Sequence, residues 1–388
     1  MNRLLMVTTI PDTLRGFLLP FAHHFRAQGW LVDAMACGVS ASTECLEAFD
    51  QVWEVEWSRN PLDPKNLFSA PRKIREVLAQ REYDLVHVHT SVASFVTRYT
   101  LNSLAKHKKP KVIYTAHGFN FHPGGKPLKN AVFIALEKLA GQWTDHLVVI
   151  NRDDEKAAKR YGLVPPHRVH YMPGIGVDIN RYNVNNVTAD NLLRLRQELG
   201  LAPKNSLFVA VAEFTRNKRH TDMVRALARL ARPEVHLAFA GDGPQSLMDE
   251  TQKLATELRV QNQVHFLGFR RDVSTLICAS VATLLTSERE GLPRSVMEAL
   301  CLETPVIGTD IRGIRDLLAQ GCGLLVKVGD VEGLAGAIAR ILDHPEEART
   351  MGKRGRERMA DYDLKHIIQL HENLYAEVLG KEKVYVTK

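Results

Sequence analysis

The run from Val281 to Gly308, VATLLTSEREGLPRSVMEALCLETPVIG, reads as strand, loop, helix and strand. An apolar stretch of strand length at 281–286 gives way to a helical-period segment at 293–301, and apolar residues return at 305–308. Two strands joined by a crossover helix lie parallel in one sheet. Pro293 suits the first position of the helix, where a missing amide hydrogen costs nothing, so the sequence predicts a helix starting there. Glu290 then falls in the loop before the helix and Glu298 inside it. The backbone N–H groups of Gly291, Leu292 and the residues to Ser295 gather at the positive end of the helix dipole, which binds phosphate.

The same alternation runs along the whole chain in two series. Strands are expected at about 4–9, 31–36, 84–88, 111–116 and 145–150, with helices at 14–28, 92–107 and 127–141 between them. A second series has strands near 206–212, 235–240, 263–267, 281–286, 305–308 and 323–326, and helices near 219–230, 244–259, 293–301 and 330–343. The fold class is therefore α/β, with two Rossmann-like parallel-sheet domains. Their expected extents are 1–180 and 190–363, the junction being the polar, asparagine-rich stretch Asp178 to Asp190. From Pro345 to Gly380 the chain is almost all helical. Ligands of such sheets bind beyond the C-terminal strand ends. Gly16, His117, Lys218 and Glu290 each follow an expected strand there, at edges that can face each other across a cleft.

Two carboxylates could flank one glycosidic bond within roughly 5 to 10 Å. Eight residues span about 12 Å even in a helix, so Glu290 and Glu298 are better suited to gripping different parts of one long ligand. A sugar, a diphosphate on the helix end and a ribose would fit. The plainer alternative is a solvated loop glutamate and an ion-paired helix glutamate.

Composition narrows the class. A chain of 388 residues, 45% hydrophobic and 24% charged, is ordinary for a globular enzyme of two domains. No tract is long enough to cross a membrane, and the apolar start from Leu4 to Ile10 is cut by Pro11 and Asp12, unlike a signal peptide. Five cysteines, Cys37, Cys45, Cys278, Cys301 and Cys322, stand singly, which argues against a disulfide framework or a zinc site and suits a reducing cytoplasm. Residues 1–175 carry 22 Lys and Arg against 16 Asp and Glu, whereas the rest carry 29 against 28. The excess gathers at Lys65, Arg72, Lys73 and Arg75, and at Lys106, Lys108, Lys109 and Lys111. Such a face attracts polyanions, or is simply solvated. No aromatic or arginine-rich motif supports nucleic acid. G-x-G-x-x-G is absent after the first strand, which disfavours a nicotinamide enzyme.

The glutamate segment resembles the E-x7-E signature of retaining glycosyltransferases of family 4, whose fold is GT-B. The resemblance extends over nearly the whole chain. Arg15-Gly16, Ala116-His117-Gly118, Pro173-Gly174, Gly176-Val177-Asp178, Lys218, Gly241-Asp242-Gly243-Pro244 and Gly268 follow the family pattern in order. The stretches TLRGFLLPFAHHF, HVHTSVASFVTR and YTAHGFNFHPGG are similar to the bacterial exopolysaccharide, capsule and O-antigen branch.

The resemblance implies residue roles. Gly16 would approach the donor diphosphate and Lys218 would stabilise it as a leaving group. Glu290 would contact donor-sugar hydroxyls, Glu298 the ribose, and Gly241, Gly291 and Leu292 the donor. His117 would lie beside the transferred sugar and acceptor, with Asn120 and His122 shaping the acceptor side. Phe119, Phe121, Phe133 and Trp143 could line a lipid-facing groove or pack in the core. Glu213 stands where many relatives have an arginine, and Arg216 or Arg219 could supply that charge. The last helix, about 364–380, would cross back onto the first domain. No D-x-D stands in a strand-end loop, Asp361-Tyr362-Asp363 lying between helical stretches, so no metal or other cofactor is expected for transfer.

The expected function is transfer of a hexose-type sugar, with retention, from a UDP-linked donor to a lipid-linked saccharide in surface polysaccharide biosynthesis. The enzyme would be cytoplasmic and peripheral on the inner face of the cell membrane, held to anionic lipid by its basic N-terminal domain. Two alternatives remain: a sugar-nucleotide epimerase of the same architecture, and a catalytically silent homologue serving as a partner subunit, for which Glu213 is the foothold.

Overall fold

The computed structural model describes residues 1–58, 60, 63–105, 109–122 and 124–381. Lys106, Lys108 and the end of the expected helix 92–107 lie outside the described residues. The chain forms two compact units, Met1–Gly176 together with the C-terminal segment from Lys365, and Val177–Leu364.

The first unit is built on β1 (Arg3–Val7), β2 (Leu31–Ala36), β3 (Gln51–Glu54), β4 (Leu85–His89), β5 (Lys111–Ala116), β6 (His146–Val149) and β7 (Val169–Tyr171). They lie parallel in the order β3-β2-β1-β4-β5-β6-β7. Met6 sits opposite Ala34 on one side and His87 on the other, so the strand order reverses at β1 and β4. Helices cover both faces of a parallel sheet, which is why its central strands are near-continuous apolar runs. Leu4, Val7, Val86, Val88, Ile113 and Val148 are fully buried.

The second unit contains β8 (Ser206–Val211), β9 (Val235–Ala240), β10 (Val264–Phe266), β11 (Ala282–Leu285), β12 (Val306–Thr309) and β13 (Gly323–Val326). Their order, β10-β9-β8-β11-β12-β13, is again parallel and reverses between β8 and β11. One core, including Leu207, Val209, Val296, Met297 and Leu300, fills one face of this sheet. Another, including Phe208, Phe239, Val224 and Ile338, fills the opposite face.

The unit boundary differs from the expected junction. Asp178 to Asp190 belongs to the second unit, where Tyr182 is buried and Ile179 packs on the core. The segment looks like a linker because its polar groups bond locally: Asp178 Oδ1 accepts from Asn180 and Arg181, and Asn183 Oδ1 from Asn185. The ends of this unit are tied together, since the Val177 amide donates to the Tyr362 carbonyl at 2.9 Å and the Leu364 amide to the Val177 carbonyl at 3.0 Å. The last helix, Leu364–Val378, packs in the first unit. Its Tyr375 is 1% exposed, bonds His87 Nδ1 at 2.6 Å and stacks on Phe25, while Glu372 meets His24 at 2.7 Å. Among the described residues no helix is long and apolar enough to cross a membrane.

Candidate active site

In the first unit the ends of β1, β4 and β5 converge because the strand order reverses there. Gly16 lies inside a π-helical turn, Leu14–Leu18, within the span where the sequence predicts a helix. The turn continues into the helix Leu19–Ala27, whose second residue is Pro20; proline has no N–H to give an ordinary helical bond, so the chain loosens just before it. A methyl group on Gly16 would meet nothing within 4 Å, so packing within the unit does not demand glycine.

His117 follows β5 and is held from two sides. Phe17 stacks on its ring with centroids 6.1 Å apart, and His89 Nδ1 lies 3.0 Å from His117 Nε2. His89 packs on His87 at 4.2 Å, and His87 faces His371 and is bonded to Tyr375 and Thr115. His87, His89 and His371 are buried. Burial, with a smaller push from neighbouring histidine charge, lowers His117 to about 4. Burial likewise lowers His371 to about 4 and depresses His87 and His89. The column is therefore neutral near pH 7, and His117 can hydrogen-bond without carrying charge.

Beside His117, Thr90 adopts φ 63°, a left-handed backbone that a β-branched residue rarely takes. Its hydroxyl is 2.7 Å from that of Thr9 and accepts from the Thr9 amide, joining the exits of β1 and β4. Asn120 Nδ2 donates to Ser91 Oγ at 2.9 Å, which brings Asn120 to the same exit. His122 is tied instead to Asn130, which receives its amide and donates to its carbonyl. Phe119 and Phe121 are stacked in the core, Phe133 packs against it, and Trp143 packs on Phe95 and Tyr99.

In the second unit the exits of β8 and β11 are stitched together. The Glu288 amide donates to the Asn217 carbonyl at 2.9 Å, Asn217 Nδ2 to the Arg289 carbonyl, and Thr286 Oγ1 to the Lys218 carbonyl. This brings Lys218 Nζ to 2.5 Å from Glu290 Oε1, with the two side chains 20% and 14% exposed. Sequence reading singled out both residues and missed their pairing, because it depends on strand order. Arg219 is closed on Asp222 and Glu288, whereas Arg216 is exposed with only a 3.9 Å contact to Glu250. Glu213 is exposed.

The helix begins at Arg294, one residue later than expected. Pro293 is its N-cap with ψ 123°, an extended geometry that proline's fixed φ permits as readily as a helical one. Pro293, with no polar atom in its side chain, makes no capping hydrogen bond of its own. Glu298, 7% exposed, pairs with Arg294 at 2.9 Å and bonds Tyr182. Burial raises it from the usual carboxylate value, against the pull of Arg294 and Tyr182. Burial beside Glu298 also pushes Tyr182 up to about 12.

Leu292 packs against the core, and Gly291 is held by a neighbouring loop. Arg312 Nε donates to the Glu290 carbonyl, and a methyl on Gly313, at φ +77°, would lie 2.2 Å from the Gly291 oxygen. Gly241 has a packing reason of its own, since a methyl there would strike the Ala212 carbonyl at 2.0 Å. Arg312 and Gly313 went unnoticed in the sequence, though Gly313 stands in a polar turn after β12, where glycine signals such a backbone.

Comparison with known proteins agrees with this architecture. The family described as Glycosyltransferase Family 4 matches residues 17–181, and that described as Glycosyl transferases group 1 matches residues 193–358. EpsD of Bacillus subtilis strain 168, provisionally named a glycosyltransferase, is 33% identical over 387 residues, covering 98% of each chain. The Escherichia coli UDP-Gal:α-D-GlcNAc-diphosphoundecaprenol α-1,3-galactosyltransferase is 25% identical over 72% of this chain and 71% of its own. The crystal structure of Anabaena HepE in complex with UDP-glucose shares the fold, with TM-score 0.81 and 21% identity over 97% of this chain and 100% of HepE. The chain belongs to the family 4 glycosyltransferases of GT-B fold.

Proposed function

We propose that this glycosyltransferase moves a hexose-type sugar from a UDP-linked donor to a lipid-linked saccharide in surface polysaccharide biosynthesis, with retention at the anomeric carbon. The observation that carries the donor half is the Lys218–Glu290 pair beside the N-terminal end of the helix that starts at Arg294. A diphosphate on the N–H groups of that end would draw Lys218 onto its developing charge as the bond to the sugar breaks. Glu290 would then accept from sugar hydroxyls, and Glu298, oriented by Arg294 and Tyr182, from the ribose. In the first unit the backbone of Gly16 is open to close approach and neutral His117 can hydrogen-bond without charge, which supports the roles that the family resemblance gives them toward the donor diphosphate and the transferred sugar. The UDP-glucose complex of HepE and the UDP-galactose donor in the name of the E. coli relative support a UDP sugar, and that relative's acceptor supports a lipid diphosphate.

The acceptor half is supported by the helix Pro127–Gly141, whose Leu128, Val132, Leu136 and Leu139 are all exposed, Leu128 by 80%. Lys126, Lys129 and Lys138 are exposed on the same segment. Apolar residues among lysines suit the headgroup region of an anionic bilayer, which supports a peripheral position on the inner face of the membrane. The test is transfer by Glu290→Ala and Glu298→Ala with the fold verified. Near-normal turnover in either sinks the site. A melting-temperature panel of UDP, GDP and ADP sugars, with and without EDTA, identifies the donor and checks the expectation that no metal is needed.

A further inference from the structure

The first unit carries a second cluster of chemistry-bearing side chains. His146 opens β6 and lies opposite Ile113, four residues before His117, so it is about 13 Å further down the sheet at the rise of an extended strand. His170 is the central residue of β7, opposite Val148. Alternate residues share a face, which puts the two rings together, with His146 Nδ1 2.8 Å from His170 Nε2. Glu377, in the last turn of the helix Leu364–Val378, completes the group, and one ligand atom from each residue lies within 4.8 Å of the others.

We propose that His146, His170 and Glu377 bind one divalent transition-metal cation of the zinc class, which fastens the end of the C-terminal helix to the outer strands of the first unit's sheet. Two imidazoles and a carboxylate make a familiar zinc set, with bonds of about 2.0 to 2.2 Å and a fourth position for water. At those lengths two ligands on a tetrahedral ion sit about 3.3 Å apart. The histidine pair therefore opens by about half an ångström, and Glu377, exposed on the last turn of its helix, swings in to close the third bond.

The second unit holds a comparison. His236 and His265 form a like cross-strand pair on β9 and β10, Nδ1 to Nε2 3.0 Å. No third His, Cys, Asp or Glu joins them among the described residues. A neutral imidazole pair alone is satisfied by its shared hydrogen bond, so the carboxylate distinguishes the two sites. The cation acts on the fold of the first unit, apart from the transfer reaction.

The experiment uses tag-free, chelator-stripped full-length protein titrated with Co²⁺ and followed by visible absorption, with Zn²⁺ added in competition. One equivalent should bind with the spectrum of a four- or five-coordinate ion. Glu377→Gln and His170→Asn should each weaken binding at least tenfold, the loss typical even of a ligand's supporting partner. His265→Asn should leave it unchanged. Zn²⁺ should raise the melting temperature of the native chain and not that of Glu377→Gln, which folds normally because Glu377 is exposed. Absence of saturable binding, or binding that survives both Glu377→Gln and His170→Asn, overturns the proposal.

Discussion

Replacing Lys218 by methionine keeps most of the side chain's length and removes its charge. Glu290, 14% exposed, is left with no cation at 2.5 Å. A pair this far buried lies between the fully exposed case, roughly 0 to 1 kcal/mol, and the fully buried one, roughly 3 to 5 kcal/mol. A loss of about 1 to 2 kcal/mol follows, equivalent to a fall of roughly 2 to 8 °C for a unit of this size. The catalytic effect is larger. Removing one group that stabilises developing negative charge costs about 100-fold to 1000-fold in turnover. Lys218→Arg, which keeps the charge, should retain much more activity than Lys218→Met. Adding Glu290→Gln to Lys218→Met should restore most of the stability and none of the rate. The assay is kcat/KM with the UDP sugar found in the nucleotide panel, alongside melting curves of all four proteins. If Lys218→Met turns over within threefold of the native enzyme, or Lys218→Arg is as poor as Lys218→Met, the leaving-group role is wrong.

The other predictions concern the rest of the molecule. His117, His371 and His220 are each lowered to about 4 by burial, so unfolded chains bind more protons between pH 6.5 and 4. Stability is fully present above pH 6.5 and is lost as pH falls toward 4, by roughly 1 kcal/mol per pH unit for each histidine, and urea midpoints at pH 8, 6 and 5 should fall in that order. Changing Leu128 and Val132 together to serine removes apolar area worth a few kcal/mol in the interface, so co-sedimentation with anionic vesicles should drop at least tenfold with no change in melting temperature. Gly313→Ala meets both a left-handed φ and a 2.2 Å contact with the Gly291 oxygen, and should cost about 1 to 3 kcal/mol and raise KM for the donor sugar by displacing the loop around Glu290.

What the sequence revealed followed from periodicity. The helix Pro127–Gly141 and the strands Leu31–Ala36, Val235–Ala240 and Gly323–Val326 have the bounds that their apolar patterns predict. β3 and β7 were not legible, because QVWE and VHY are short edge strands without the apolar run of a buried one. Residue types at strand ends named Lys218, Glu290 and His117. Their partners were hidden, because Lys218 meets Glu290 only through the reversal of strand order, and His371 reaches His87 across 284 positions of sequence. His-Val-His in β4 carried a signal that went unused: two histidines one residue apart on a strand share a face.

The ends of the second unit are bonded to each other while the first unit is assembled from two separated pieces, and this sets an order of events on the ribosome. Residues 177–364 are contiguous and have all their strands once Val326 has emerged. The first unit cannot finish until Tyr375 is made, since His87 and Phe25 wait for its buried side chain. Domains commonly mature in the order of synthesis. Here the piece that starts first is completed last, so a chain released after residue 364 should show a protease-resistant second unit beside a first unit still open to cleavage.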